Sequence, residues 1–184
     1  MKYLVFDDMT ECGEAAVQQL LEQVPAYRCE QAMRFSHTLG RFCCLKAWQM
    51  LQQLAPSVNC QLSTIHYNPH GKPWMEGGPE FSISHCKCAI AVAVNDTPIG
   101  IDVEAIRMVD ESLVRRTMNE DEQRHIAASA DANRAFIRLW TMKEAYLKQI
   151  GTGIVDDLQG CLQEADRSRF TTIEQENYIV SIYI

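Results

Sequence analysis

Glu144 and Lys148 stand four residues apart in the run Trp140-Thr141-Met142-Lys143-Glu144-Ala145-Tyr146-Leu147-Lys148. On a helix that spacing puts Trp140, Glu144 and Lys148 on one face, with Leu139, Met142 and Tyr146 pointing elsewhere. Taken alone, the acid and base could be an ordinary i,i+4 surface pair worth about 0.3–0.5 kcal/mol. Asp102 and Glu104, two apart in an alternating stretch, share one face of a strand while Ile101 and Val103 take the other. They too could be the solvent side of an edge strand. Two strand carboxylates and one helix carboxylate together make a hard-oxygen set suited to Mg²⁺, which keeps several waters and takes further ligands from substrate phosphates. A pyrophosphate-bearing substrate is the corresponding expectation.

Other reactive residues are less telling. His85-Cys86-Lys87-Cys88 brings two thiols and an imidazole close together, but no second Cys pair or His pair completes a tetrahedral set, so zinc is not expected. The eight cysteines (12, 29, 43, 44, 60, 86, 88 and 161) lack the dense, regular spacing of a disulfide-stapled mini-domain and read as reduced thiols filling the core. His85 reads equally as a core histidine or as a ligand contact. Glu122, three residues after Asn119, reads as half of a helix-capping box or as a further functional glutamate.

The elements that must position these groups follow from periodicity and turn chemistry. A strand over 2–6 precedes a helix over 14–23 and a longer one over about 30–54. Residues 62–67 form a strand candidate, 68–79 are rich in Gly and Pro, and 81–84 and 89–94 read as two more strands before a turn at 95–98. A strand over 99–104 carries Asp102 and Glu104. A helix from Asn119 to about Ala128 and a strongly periodic one over Ala132–Ile150, ended by Gly151, lead to a hairpin of 170–173 and 178–184. Helix then strands, twice, predicts an α+β protein of two similar lobes, residues 1–96 and 97–184, although no residue-level repeat relates them.

Composition narrows the function classes. At 184 residues and 47% hydrophobic, the chain has material for a real core. No run approaches the roughly 20 apolar residues of a membrane span, and the start turns acidic before a signal-peptide core forms, so a soluble, cytoplasmic protein is expected. The net charge of -7 divides unevenly. Residues 1–95 hold 7 basic and 8 acidic side chains, and residues 96–184 hold 10 and 16. Nonspecific nucleic-acid binding is disfavoured.

Four short segments in order, Gly71-Lys72-Pro73, Phe81-Ser82-Ile83-Ser84-His85, Pro98-Ile99-Gly100-Ile101-Asp102-Val103-Glu104 and the Trp140 to Lys148 run, resemble the Sfp-type 4'-phosphopantetheinyl transferase family over residues 34–154. The resemblance implies that family's fold, two similar lobes related by a pseudo-twofold, with coenzyme A and Mg²⁺ (Mn²⁺ as an alternative) in the cleft between them. It implies Asp102, Glu104 and Glu144 as metal ligands and Glu144 as general base, directly or through a water. Lys148 would contact the phosphates and stabilise the departing 3',5'-ADP. Ser84 and His85 would meet the phosphates, Gly71, Lys72 and Pro73 would carry the adenine side, and Lys143 is a further family position. Basic residues for the 3'-phosphate would come from Arg28, Arg34, Arg41 and Lys46, with Arg34 foremost.

The implied partner is an acyl or peptidyl carrier protein of fatty-acid, polyketide or nonribosomal peptide synthesis, and the implied state a monomer. Such carriers are acidic, so with a charge of -7 here docking would be hydrophobic or use a local basic patch. The chain departs from the family in its compressed first lobe and brief tail. Two rivals are a noncatalytic binder of coenzyme A or a carrier, and another Mg²⁺-dependent nucleotide enzyme; the four intact polar residues oppose the first, and the lack of a Walker-type glycine loop the second.

Overall fold

The computed structural model describes residues 1–55, 65–153 and 158–184. Strand β1 (Lys2–Phe6) leads into helices α1 (Glu14–Leu21), α2 (Ala26–Met33) and α3 (Thr38–Leu54). A small hairpin, β2 (Ile65–Tyr67) with β3 (Pro73–Met75), precedes β4 (Glu80–His85) and β5 (Ile90–Asn95). Then come β6 (Gly100–Ala105), α4 (Glu111–Thr117), α5 (Glu120–Ala128), α6 (Ala132–Ile150), α7 (Cys161–Glu164), β7 (Phe170–Glu174) and β8 (Tyr178–Tyr183). The architecture is mixed α+β, as expected. Two three-stranded antiparallel sheets run in the orders β1-β5-β4 and β6-β8-β7.

The helix expected over 30–54 is two helices. Residues 34–37 interrupt it because His37 takes an extended conformation and its Nδ1 caps α3 by accepting from Gly40 N at 2.9 Å, while Arg41 Nε donates to the Phe35 carbonyl. The Gly- and Pro-rich stretch holds a strand, β3, and of the strand expected over 62–67 the part at 62–64 lies outside the described residues, as does Cys60. The other cysteines are free thiols. The short helices α4 and α7 carry no long apolar period and were not expected.

β5 is buried on both faces, which explains its unbroken apolar run. Ile90, Val92 and Val94 join Phe81 beneath α1–α3, around Phe42, Leu45 and Trp48. The alternate residues Ala91 and Ala93, with Ala89, meet Ile99 just before β6, Ile101 and Val103 of β6, and Val180 and Ile182 of β8. Small side chains on one sheet against branched ones on the other let the two sheets stack closely. Ser82 Oγ adds a polar tie between them, accepting from Ile101 N at 3.0 Å.

The opposite face of β6 lies under α6, and the register pairs Gly100, Asp102 and Glu104 with Tyr183, Ser181 and Ile179 of β8. β6 is an edge strand of its sheet, but the reading of Asp102 and Glu104 as its solvent side is overturned. β8 covers one edge of β6, α6 covers the face, and Asp102 is only 3% exposed. α6 starts at Asp131, whose side chain accepts from Arg134 N, and ends where Gly151 takes a left-handed φ of 75°. Its buried residues Phe136, Leu139, Met142 and Ala145 fill the core with Ile179 and Tyr183, and Thr141 Oγ1 meets Ser181 Oγ at 2.8 Å. Gly100 makes the contact possible, since a Cβ there would sit 1.9 Å from the Ala145 carbonyl oxygen and 2.6 Å from Gln149 N.

Gly100→Ala must push α6 off β6, so urea unfolding is expected to show a loss of more than about 2 kcal/mol. Gly13→Ala, where an added Cβ meets nothing within 4 Å, serves as the control and should cost less than about 1 kcal/mol.

Alkaline stability offers a second check. Burial pushes the Cys43 thiol up to about 12, with Cys12, Cys86 and Cys44 adding to it, and pushes the Cys86 and Cys161 thiols up to about 11. Burial, then the Asp7 carboxylate to which its hydroxyl donates at 2.8 Å, pushes Tyr178 up to about 12. Raised folded values mean that the stabilisation is intact below the unfolded values, about 8.5 for thiols and about 10 for tyrosine, and is lost as pH climbs toward 11–12. The urea midpoint should be flat from about pH 6 to 8 and fall steeply above about pH 9, with a shallower fall in Cys43→Ala.

Candidate functional site

Three elements converge at the junction of the two sheets. Ser84 near the end of β4, Asp102 in the middle of β6 and Lys148 in the last turn of α6 form a closed triangle. Lys148 Nζ donates to Asp102 Oδ1 at 2.6 Å and to Ser84 Oγ at 3.0 Å, and Ser84 Oγ donates to Asp102 Oδ1 at 2.7 Å. Lys148 keeps 30% of its side chain exposed while that of Asp102 keeps 5%. Beyond the triangle, Asp102 Oδ2 and Glu144 Oε1 are buried acceptors with no hydrogen-bond partner.

Negative charge is concentrated here beyond what Lys148 balances. Glu144 is held above the usual carboxylate range by burial and then by Asp102, against the pull of Lys148. Glu104, half-buried, is raised by burial and then by Asp102, with Arg107 and Lys148 opposing and Glu144 reinforcing. Among the described residues no group of three His, Cys, Asp or Glu side chains stands as a preformed metal cage. The donor chemistry nonetheless fits a hard divalent cation: two orphaned carboxylate oxygens and a third carboxylate on the same strand face, with further ligands left for a phosphate and water to supply.

Two cavities flank the triangle along β4. One of about 310 Å³ is lined by Gly71, Lys72, Pro73, Ser82, Glu144 and Lys148 among others, so the Gly71-Lys72-Pro73 turn and the α6 face do meet. The turn is built by Asn68, whose Oδ1 accepts from His70 N and Lys72 N, both at 2.9 Å, while Gly71 adopts a φ of 85°. It is fastened to the end of α6, because Asn68 Nδ2 donates to the Gly151 carbonyl at 2.8 Å and Lys72 Nζ to the Gln149 carbonyl at 2.7 Å. Lys72 also faces Glu80 at 3.7 Å, and burial lowers its pKa against that carboxylate's pull.

The second cavity, also about 310 Å³, is lined by Arg28, Arg34, Tyr67, His85 and the neighbouring cysteines. Arg28 is 6% exposed, stacks on Trp48 at 4.7 Å, and donates to Gln31 Oε1 and to the Cys44 carbonyl. Arg34 is exposed. Protein crowding around His85 lowers its pKa, and the Lys148 and His37 charges lower it further.

Three expected residues stand elsewhere. Arg41 is spent on the Phe35 carbonyl, and Lys46 on Glu11 at 3.6 Å and the Phe6 ring at 4.1 Å, so neither lines the Arg28 cavity. Lys143 is fully buried, donating to Glu122 Oε2 at 2.8 Å and to the Leu158 carbonyl at 2.6 Å. Its direction, about 100° around the helix from Glu144, takes it away from the triangle. Glu122 also completes the capping box with Asn119. The sequence reading did not single out Asn68; the pattern Asn68-Pro69-His70-Gly71 is the available signal, an Asx turn ahead of a glycine.

Removing one partner of a buried ion pair strands the other, so Lys143→Met should cost about 3–5 kcal/mol in urea unfolding. Lys143→Met combined with Glu122→Gln, which removes the stranded charge and keeps the capping oxygen, should recover more than half of that loss.

The family model of the 4'-phosphopantetheinyl transferase superfamily matches residues 98–182, the stretch that holds Asp102, Glu104, Glu144 and Lys148. The 4'-phosphopantetheinyl transferase psf-1 of Bacillus pumilus is 37% identical over 89 residues, covering 46% of this chain and 38% of its own. The 4'-phosphopantetheinyl transferase HetI of Nostoc is 34% identical over 118 residues, covering 58% and 50%. The chain thus spans half or less of the length of these relatives. The solved holo-[acyl-carrier-protein] synthase of Thermotoga maritima aligns over 47% of this chain and 61% of its own at 18% identity and a TM-score of 0.31, a likeness too distant to bear on the fold. Over its residues 98–182, this chain is similar to the 4'-phosphopantetheinyl transferase superfamily, and the similar proteins include the 4'-phosphopantetheinyl transferase Sfp of Bacillus subtilis.

Proposed function

We propose that this protein transfers the phosphopantetheine arm of coenzyme A to a serine hydroxyl of an apo acyl or peptidyl carrier protein and releases 3',5'-ADP. The observation that carries the reading is the buried Asp102, one oxygen held by Lys148 and Ser84 and the other without a partner, beside the equally orphaned Glu144 Oε1.

In this reading residues 1–96 and 97–184 are two similar lobes related by a pseudo-twofold, with the substrate at their junction. What supports it is a shared strand order: in each three-stranded sheet the last strand in sequence lies between the other two, β5 between β1 and β4 and β8 between β6 and β7, with helices inserted between those outer two strands. One chain then supplies both walls of the site, and a monomer suffices. No helix of the described residues is long and apolar enough to cross a membrane, and we place the protein, with its free thiols, in the cytoplasm.

Arg34 and His85, backed by the buried Arg28, would hold the 3'-phosphate side of coenzyme A, and the Gly71-Lys72-Pro73 turn its adenine side. Ser84 and Lys148 would meet the pyrophosphate. Asp102, Glu104 and Glu144 would hold Mg²⁺, for which Mn²⁺ substitutes, and the cation would neutralise charge on the pyrophosphate. Glu144 takes the proton of the carrier serine, directly or through a water, as the serine oxygen bonds to the β-phosphorus. The bond from that phosphorus to the bridging oxygen breaks, its electron pair leaving with 3',5'-ADP beside the fixed charge of Lys148. An acidic carrier would dock on apolar contacts or a local basic patch, given the chain's own net charge of -7.

Release of 3',5'-ADP from coenzyme A should require both apo-carrier and a divalent cation, and Glu144→Gln should lower its rate by about 10²–10⁴. A Glu144→Gln rate within about threefold of wild type would remove Glu144 from the chemistry. Release at full rate without any carrier would make the protein a hydrolase.

A further inference from the structure

Lys148 lies on the wrong partner for its expected task. A lysine that serves the phosphates of a bound substrate would extend toward the open cavity, yet its ammonium sits 2.6 Å from Asp102 Oδ1 and 3.0 Å from Ser84 Oγ. Ser84 reinforces that position by donating to the same carboxylate oxygen. Asp102 keeps only 5% of its side chain exposed, so a protein partner must replace the water it has lost. Lys148 is such a partner, while its four-carbon stem and 30% exposure leave it free to swing outward.

We infer that Lys148 is a built-in stand-in for the divalent cation: in the free protein it holds Asp102, and it gives up that carboxylate when the cation arrives and moves to the phosphates. The inference rests on the reading of Asp102 as a cation ligand. The remaining orphaned oxygens, Asp102 Oδ2 and Glu144 Oε1, are the foothold for an incoming cation that Lys148 leaves open. The trade has a binding consequence. A cation arriving alone must expel an ammonium that has no phosphate to go to, so it binds weakly. A cation arriving with a pyrophosphate displaces the ammonium onto a new partner, and the two ligands help each other. The device keeps a cluster of buried carboxylates folded without metal and discourages cation binding without substrate.

The test is Mn²⁺ binding to the protein alone, read from the loss of the free-ion electron paramagnetic resonance signal, with no coenzyme A present. Lys148→Met should bind Mn²⁺ at least about fivefold more tightly than wild type, because the competitor is gone. Lys148→Arg, which keeps a cation on Asp102, should stay within about twofold of wild type, and Asp102→Asn should bind more weakly. Equal or weaker binding by Lys148→Met, with Asp102→Asn still weakened, would overturn the stand-in role and leave the cation site standing. Unchanged binding by Asp102→Asn would overturn the cation site and this inference with it. Should Lys148→Met be too unstable to titrate, its melting temperature must rise more with added Mn²⁺ than that of wild type, and an equal or smaller rise contradicts the inference.

Discussion

The seating of helix α6 directly on strand β6 is the constraint from which the site follows. Gly100 lets the backbones of the two elements touch, a Cβ at that position meeting the Ala145 carbonyl oxygen at 1.9 Å. One turn further along, the same face of β6 presents Asp102 to Lys148, and the same face of α6 presents Glu144 beside it. Charged groups are thereby forced together where water is largely excluded, and their preferences for a counterion become strong. The rest of the structure locks that seating. Asp131 and Gly151 fix the two ends of α6, the Asn68 turn clamps its last carbonyls, and Thr141 meets Ser181 beneath it.

The two sheets divide the work by side-chain size. The alanines of β5 let β6 come close enough for Ser82 and Ser84 of β4 to reach the Ile101 amide and the Asp102 carboxylate. Larger residues at Ala91 or Ala93 would part the sheets and separate Ser84 from Asp102. The packing that stabilises the core and the spacing that defines the site are thus one feature. The charge balance runs the opposite way: burial and then the Asp102 carboxylate raise the pKa of Glu104 and Glu144, which weakens the unliganded fold, and Lys148 limits that cost.

Much of this was legible in residue spacing. The period of α6 set its bounds at Ala132–Ile150, and alternation in β6 separated Ile101 and Val103 from Asp102 and Glu104, as found. What alternation could not tell was that both faces of β6 are covered, because burial of the Asp102 carboxylate depends on an α6 contact made 46 residues later. The break between α2 and α3 was missed because Arg34 to His37 contain no Gly or Pro, and the stop comes from a histidine cap and an arginine that reaches back. Lys143 and Glu144 are adjacent in sequence yet face opposite environments. Helical geometry gave that divergence, but only the position of Glu122 on α5 explains a fully buried lysine.

The central claim is transfer of a phosphopantetheine arm at the Asp102, Glu144 and Lys148 site, and the intact mass of a carrier tests it most directly. An apo-carrier incubated with this protein, coenzyme A and Mg²⁺ is predicted to gain the mass of one phosphopantetheine arm, and a carrier with its acceptor serine changed to alanine is predicted to gain none. No gain by fatty-acid, polyketide and peptide-synthetase carriers alike, under conditions where coenzyme A binding is measured, would contradict the account and leave a protein that holds coenzyme A without transferring any part of it.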